Sequence, residues 1–204
     1  MELKIFSISK LTREEYNYWF ALMDYEKQKK VNKYRNVEDK KRTVIGEMLA
    51  RKLISNQLNI NPDEIVFEIG EFGKPRVKDL CVEFNISHSN DYVVCCTSDK
   101  PIGVDIEKIA PVSLKLINKV CTQQDIDYIF LKKGKRIADC TDEDIGIVEM
   151  KRFYEIWTYK EAYFKCLGTG IRNLKSYSIG DWTSKRIVYY IEDYIVTILE
   201  NINA

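Results

Sequence analysis

The chain has 204 residues, 45% of them hydrophobic, with 32 Lys and Arg against 31 Asp and Glu and a single histidine. That apolar content builds a sizeable core, and the length fits one domain or two small fused ones. A formal net charge of +1 supplies no global field to draw the protein onto nucleic acid or an acidic membrane, so any anion site has to be local. No uncharged stretch is long enough to span a bilayer, and Met1-Glu2-Leu3-Lys4 opens no basic-then-apolar leader, so the expected location is cytoplasmic.

Leu3 to Ile8 alternates like a half-buried strand, and Thr12 followed by Glu15 forms a capping box ahead of a helix running towards Asp24. A basic stretch with Lys27, Lys29, Lys30, Lys33 and Arg35 precedes a long helical pattern from about Glu38 to Leu58, which Asn61-Pro62-Asp63 ends. Strand-like runs follow at Ile65 to Ile69, Cys81 to Ile86, Tyr92 to Thr97 and Ile102 to Ile106, separated by Gly, Pro, Asn and Asp. After Pro111 the pattern is helical at Ser113 to Val120 and, capped by Thr122, at Gln123 to Leu131. Lys132 to Glu143 reads as a polar loop. A long helix from about Ile145 to Leu167 stops at Gly168, and strands near Ser176 to Ile179, Arg186 to Ile191 and Tyr194 to Leu199 close the chain. Strand, long helix and several strands thus come twice, before and after about residue 100, with no residue-level repeat. The expected class is α+β with two similar halves. The six cysteines lie mostly in apolar segments with no repeated Cys-x-x-Cys spacing, which reads as reduced, buried thiols and not a zinc site.

Three polar clusters interrupt this pattern: Asn85-Ile86-Ser87-His88-Ser89, Gly103-Val104-Asp105-Ile106-Glu107, and Trp157-Thr158-Tyr159-Lys160-Glu161-Ala162-Tyr163-Phe164-Lys165. Asp105 and Glu107, two apart on a strand, project to one face, while Val104 and Ile106 project to the other. Glu161 and Lys165 share a helix face, a turn apart. The carboxylates are the hard ligands that magnesium or manganese prefers, with Glu161 completing the set directly or through a water. Magnesium held by few carboxylates fills its shell with substrate phosphates, so the expected ligand is phosphorylated. Lys27, Lys30, Lys74, Arg76 and Lys165 are candidate cations for it, Gly73 and Pro75 shape the loop that carries Lys74, and Ser87 and His88 are candidate hydrogen-bond donors. The spacing alone also admits plainer readings: surface acids on a strand, a solvated lysine face, an ordinary turn. Phe153, Trp157, Tyr159 and Tyr163 read as core or wall residues of the long helix.

Taken in order, Gly73-Lys74-Pro75, Phe84-Asn85-Ile86-Ser87-His88-Ser89, Ile102-Gly103-Val104-Asp105-Ile106-Glu107 and Trp157 to Lys165 give the chain its resemblance to the surfactin-type (Sfp-type) 4'-phosphopantetheinyl transferases. The N-terminal Glu26 to Lys30, and Glu38-Asp39 through Arg42-Thr43 to Gly46, are similar to that family as well. The resemblance implies transfer of the 4'-phosphopantetheine arm of coenzyme A to a serine of an apo acyl or peptidyl carrier protein, with magnesium as cofactor and adenosine 3',5'-bisphosphate released. It also implies a monomer whose halves, residues 1–100 and 101–204, are related by a pseudo-twofold axis, with coenzyme A in the cleft between them.

Carried onto this sequence, the resemblance puts Asp105, Glu107 and Glu161 around the metal, and His88 and Lys165 on the phosphates. It puts Lys27, Lys30 and Thr43 near the 3'-phosphate end, and Lys74 with Ser87 near the adenosine and its phosphates. Metal ligand and base for the serine proton are competing roles for Glu161, between which the sequence does not decide, with Lys165 stabilising transition-state charge. The resemblance places carrier docking on Ser113 to Val120, which on sequence grounds reads equally well as an amphipathic core helix. Two other readings use the same residues: a magnesium-dependent phosphohydrolase, and a noncatalytic module that binds coenzyme A or a carrier.

Overall fold

The computed structural model describes residues 1–70, 72–132, 136–170, 173–178 and 186–200. Strand β1 (Glu2–Ser7) leads into α1 (Arg13–Ala21), whose start is closed by the expected capping box: the Glu15 amide donates to Thr12 Oγ1 at 3.1 Å, and the Thr12 amide donates to Glu15 Oε2 at 3.2 Å. The basic stretch is itself a helix, α2 (Tyr25–Lys33), capped by Asp24. Its four lysines and one glutamate around a single buried Val31 give little apolar periodicity to read. Helix α3 (Val37–Leu58) ends at the expected residue, but it is Asn59, in a left-handed conformation at φ 54°, that stops it, and Pro62 begins a separate 3-10 turn.

The segment around Gly73-Lys74-Pro75 is a hairpin and not only a turn: β2 (Phe67–Ile69) pairs antiparallel with β3 (Pro75–Val77). Strands β4 (Glu83–Ser89), β5 (Tyr92–Ser98) and β6 (Ile102–Lys108) follow, then α4 (Leu114–Val120), α5 (Gln123–Phe130) and α6 (Ile147–Leu167). Gly168 closes α6 in the left-handed region at φ 67°. Within 132–143 the described residues include a 3-10 turn at Ile137–Asp139, while 133–135 lie outside them. The strand expected near Ser176 to Ile179 is not formed in its described part, where Leu174–Ser176 is a 3-10 turn held by the Ser176 amide on Asn173 O; Ile179 lies outside the described residues. Strands β7 (Arg186–Ile191) and β8 (Tyr194–Glu200) complete the fold.

The two halves share a topology. One antiparallel sheet runs β1-β5-β4 and the other β6-β8-β7, so in each sheet the last strand in chain order lies between the first and the second. Both hairpins turn through two residues with a positive φ at the first, Asn90 at 45° and Glu192 at 53°. The residue after the first strand closes onto the same turn in each half: Ile8 donates to Asp91 O at 2.8 Å, and Ile109 donates to Asp193 O at 2.7 Å.

Alternation decides the layering. On β5, Val93 and Cys95 face α3 with Val44, Met48 and Leu49, while Val94 and Cys96 face the second sheet, packing with Val104 and Ile106 of β6 and Val196 and Ile198 of β8. Helix α6 covers the far side of β6 and β8, giving the order α3, first sheet, second sheet, α6. The α+β expectation holds. The cysteines fit it only in part: Cys95, Cys96, Cys121 and Cys166 are buried thiols, but Cys81 is exposed and Cys140 half-buried, because both stand outside the strands and helices that form the core.

Candidate active site

The edge strand of each sheet meets the other's, β4 beside β6, and the site lies along that seam. No backbone ladder joins them. Instead the odd residues of β4 reach across: Val104 N–H donates to Asn85 Oδ1 at 2.9 Å, Ser87 Oγ donates to Asp105 Oδ1 at 2.7 Å, and Ser89 Oγ donates to Glu107 Oε2 at 2.8 Å. Ser89 Oγ also accepts from the Lys108 amide at 3.2 Å.

Asp105 and Glu107 share the face of β6 that carries Gly103, as their spacing requires. An ideal Cβ on Gly103 would lie 2.0 Å from the Ala162 carbonyl oxygen, so only glycine lets α6 lie this close to the strand. That contact delivers the preceding residue of the helix, Glu161, and Lys165, a turn on from it, to the acid pair. Lys165 Nζ stands 2.5 Å from Asp105 Oδ1, 3.0 Å from Ser87 Oγ and 3.6 Å from Glu161 Oε2. Thr158 and Thr197 add a hydroxyl–hydroxyl bond of 2.7 Å between α6 and β8.

The electrostatics follow from burial of like charges around one ammonium. Asp105 is 1% exposed, and burial pushes its pKa up while Lys165 and Ser87 hold it back. Glu107 is raised by burial and then by Asp105, against the pull of Ser89. Glu161 is pushed up to about 7, first by burial and then by the Asp105 charge. Burial works to lower Lys165, but the Asp105 and Glu161 carboxylates outweigh it and the net direction is upward. The site therefore contains a fixed cation and a carboxyl poised near neutrality.

Beside Lys165 is a cavity of about 280 Å³ bounded by the β2–β3 turn, β4 and the end of α6, with Lys74, Pro75, Asn85, Phe164 and Gly168 in its wall. Gly73, at φ 84°, makes the turn that brings Lys74 inwards, where its Nζ donates to Ile102 O at 3.2 Å and pairs with Glu83 at 3.3 Å. His88 stands on the other face of β4, at the rim near Arg42. Its pKa is lowered by desolvation, then by the Arg42 and Lys165 charges, so the ring is neutral at pH 7. Thr43 Oγ1 bonds back to Asp39 O within α3. Lys27 is engaged by the buried Glu47, which Arg51 holds from the other side at 2.7 Å, and Lys30 is exposed on α2. The structure thus gathers Ser87, Asp105, Glu107, Glu161 and Lys165 at one point with Lys74 on the adjoining cavity. Lys27 and Lys30 lie on α2, Thr43 on α3 and His88 on the outer face of β4 near Arg42, and none of them contacts that cluster through a hydrogen bond or ion pair among the described residues.

Asn85 and Ser89 had no assigned role in the sequence reading, yet both contact β6. Their alternation with Ser87 on one strand was the available signal. The ion pair of Lys160 with Asp125, both fully buried at 2.6 Å, was hidden because it joins residues 35 apart in the chain.

Among the described residues no group of three or more His, Cys, Asp or Glu side chains is arranged to hold a metal ion. The acids nonetheless fit magnesium, which needs only one or two carboxylates plus waters and phosphates. Their donors are all hard oxygens, and Asp105 Oδ2 is buried with no hydrogen-bond partner among the described residues.

Two sheets of like topology, joined at a seam that carries a buried carboxylate–lysine cluster, define an α+β protein with a candidate active site at that seam. Residues 10–100 match the family described as 4'-phosphopantetheinyl transferase, N-terminal, and residues 101–197 match the 4'-phosphopantetheinyl transferase superfamily. The chain is 32% identical over 171 residues to the 4'-phosphopantetheinyl transferase Sfp of Bacillus subtilis, covering 83% of this chain and 71% of that protein. It is 34% identical over 163 residues to the gsp protein of Aneurinibacillus migulanus, also named a 4'-phosphopantetheinyl transferase, covering 80% of this chain and 63% of that relative. The psf-1 transferase of Bacillus pumilus is 28% identical over 190 residues. The chain belongs to the 4'-phosphopantetheinyl transferase superfamily, as its ordered motifs imply.

Proposed function

We propose that the chain transfers 4'-phosphopantetheine from coenzyme A to a serine hydroxyl of an apo acyl or peptidyl carrier protein. The observation that carries this reading is the cluster of Asp105, Glu161 and Lys165 at the seam, opening beside a cavity that Lys74 also borders. In the transfer, the serine oxygen bonds to the phosphorus bearing the pantetheine arm, the bond from that phosphorus to the bridging oxygen breaks, and adenosine 3',5'-bisphosphate leaves with the electron pair. Glu161, on the helix face it shares with Lys165 at 3.6 Å, takes the serine proton. Lys165 keeps its proton and offsets the charge on the nonbridging oxygens. Ser87 and Ser89 hold the carboxylates in position.

Asp105, Glu107 and Glu161 are the residues that would hold magnesium, or manganese in its place. When bound, such an ion supplies charge neutralisation for the pyrophosphate. His88, Lys74 and Ser87 serve the phosphates and adenosine, and Lys27, Lys30 and Thr43 serve the 3'-phosphate. For Lys27 this requires exchanging Glu47 for the ligand. We take residues 1–100 and 101–204 as the two pseudo-repeat halves. One chain supplies both sides of the seam, which supports a monomer, and the balanced charge supports a protein partner over nucleic acid.

Mass spectrometry of apo carrier proteins after incubation with the chain, coenzyme A and magnesium tests the reading. The carrier serine gains one phosphopantetheine. Unmodified carriers from several fatty-acid, polyketide and peptide synthases would overturn it.

A further inference from the structure

A cavity of about 370 Å³ lies between the first turns of α1 and α3, and the transfer chemistry leaves it unused. Helical spacing puts its α3 residues, Val37, Lys40 and Lys41, on the side of that helix opposite Gly46, which meets Ile86 of β4, so the cavity faces away from the seam. Its floor is apolar: Leu11, Val37 at 62% exposed, and Tyr16, whose ring is stacked on Phe20 at 5.8 Å. Its charged lining is of one sign. Arg13, Lys40 and Lys41 stand around that floor, no carboxylate lines it, and among the described residues none of the three side chains has an ion pair or a hydrogen bond. Of the acids on the same turns, Glu15 closes the α1 capping box, Glu38 and Asp39 pair with Arg42, and Glu14 is exposed outside the lining.

An apolar floor ringed by three unpaired cations fits an anionic ligand with an apolar body, and the placing of the cations decides which kind. A nucleic-acid backbone would meet the cations and leave the floor uncovered. An amphiphile with one carboxylate carries its charge at one point, while these cations stand on two helices. An acidic polypeptide segment, with a large apolar side chain as its anchor and carboxylates on either side of it, meets the cations and covers the floor together. We propose that this cavity is a docking site for an acidic segment of a partner protein, which inserts one large apolar side chain between α1 and α3 and sets flanking carboxylates on Arg13, Lys40 and Lys41. None of these residues takes part in the transfer chemistry, so the proposal stands independently of that reading.

Panning a random dodecapeptide library on the full chain, with counter-selection on the Lys40→Glu, Lys41→Glu double variant, tests the proposal. The enriched peptides carry an aromatic or large aliphatic residue with at least two Asp or Glu close beside it. In fluorescence anisotropy, a fluorescein-labelled copy of the leading peptide binds the double variant and Val37→Asp each about 10-fold more weakly than wild type, roughly the worth of two surface charges or of one covered apolar side chain. Val37 is the first residue of α3, where an aspartate suits the helix N-terminus, so Val37→Asp keeps the wild-type melting temperature. Changing the peptide's apolar residue to alanine weakens binding to wild type by a similar factor. The proposal is overturned if no peptide is enriched over the double variant, or if the enriched peptides lack acids. It is overturned also if the alanine peptide binds as tightly, which is charge attraction alone, or if decanoate displaces the peptide at equal concentration, which makes the cavity a site for an amphiphile. Sedimentation that shows a wild-type dimer, dissociated by Val37→Asp, makes the occupant a second copy of the chain and overturns it as well.

Discussion

Gly103 and Ala162 touch through backbone alone, with the space for a Cβ on Gly103 taken by the Ala162 carbonyl oxygen. Gly103→Ala therefore forces α6 off β6, since neither atom belongs to a side chain that can turn aside. The variant is expected to lose about 1–3 kcal/mol or more of stability in urea unfolding. It is also expected to lose transfer activity, because Glu161 and Lys165 move away from Asp105 together.

Ser89 holds one oxygen of Glu107 and is itself held by the Lys108 amide. Removing the hydroxyl in Ser89→Ala frees the carboxylate to reorient and leaves the fold intact. Manganese titration followed by electron paramagnetic resonance is expected to show weaker binding in Ser89→Ala and recovery in Ser89→Thr, which keeps the hydroxyl. Equal binding by all three proteins would remove Ser89 from the positioning of the acids.

Glu161 makes the stability of the protein without added metal depend on pH in a defined direction. Its carboxyl titrates near 4.5 when exposed and at about 7 in the fold, so between these values the folded protein binds the extra proton. Unfolding free energy then falls as pH rises through this window, and the raised Asp105 and Glu107 act in the same sense. Urea denaturation from pH 5 to 8 is expected to show that decline, with a shallower slope in Glu161→Gln. Magnesium binding expels the same proton, so proton release on titration is greater at pH 6 than at pH 8.

Lys160 and Asp125 form a fully buried pair, and Lys160 Nζ donates also to Val120 O at 2.9 Å. Lys160→Met leaves the Asp125 carboxylate without its cation and is expected to cost about 3–5 kcal/mol. Adding Asp125→Leu recovers much of that loss, because two apolar residues leave no unpaired charge. A chemical denaturation series over the two single variants and the double checks it.

Much of the fold was legible because its signals are local: the Thr12 and Thr122 caps, the Gly168 stop and the alternation on β1 and β6 all operate within a few residues. Helix α2 was not, because its stability rests on one buried valine and on docking to α3, which no periodicity records. The hairpin around Gly73 was half seen, since Pro75 reads as a turn residue and only pairing with Phe67 to Ile69 makes it a strand. In the site, the i,i+2 and i,i+4 spacings put the right side chains on shared faces. What lay outside their reach was tertiary: the Gly103–Ala162 approach that unites two such faces, and the Glu47 that claims Lys27.

The seam between β4 and β6 has a consequence for the chain as a folding unit. Each strand is the open border of its own sheet, and each shields the other's from foreign strands, with the amides of Val104 and Lys108 already satisfied by Asn85 and Ser89. Expressed as separate fragments divided after residue 100, either half would present a bare, sticky border and would self-associate. Mixed, the fragments would protect one another from aggregation, so that solubility itself reports whether the active-site seam has formed.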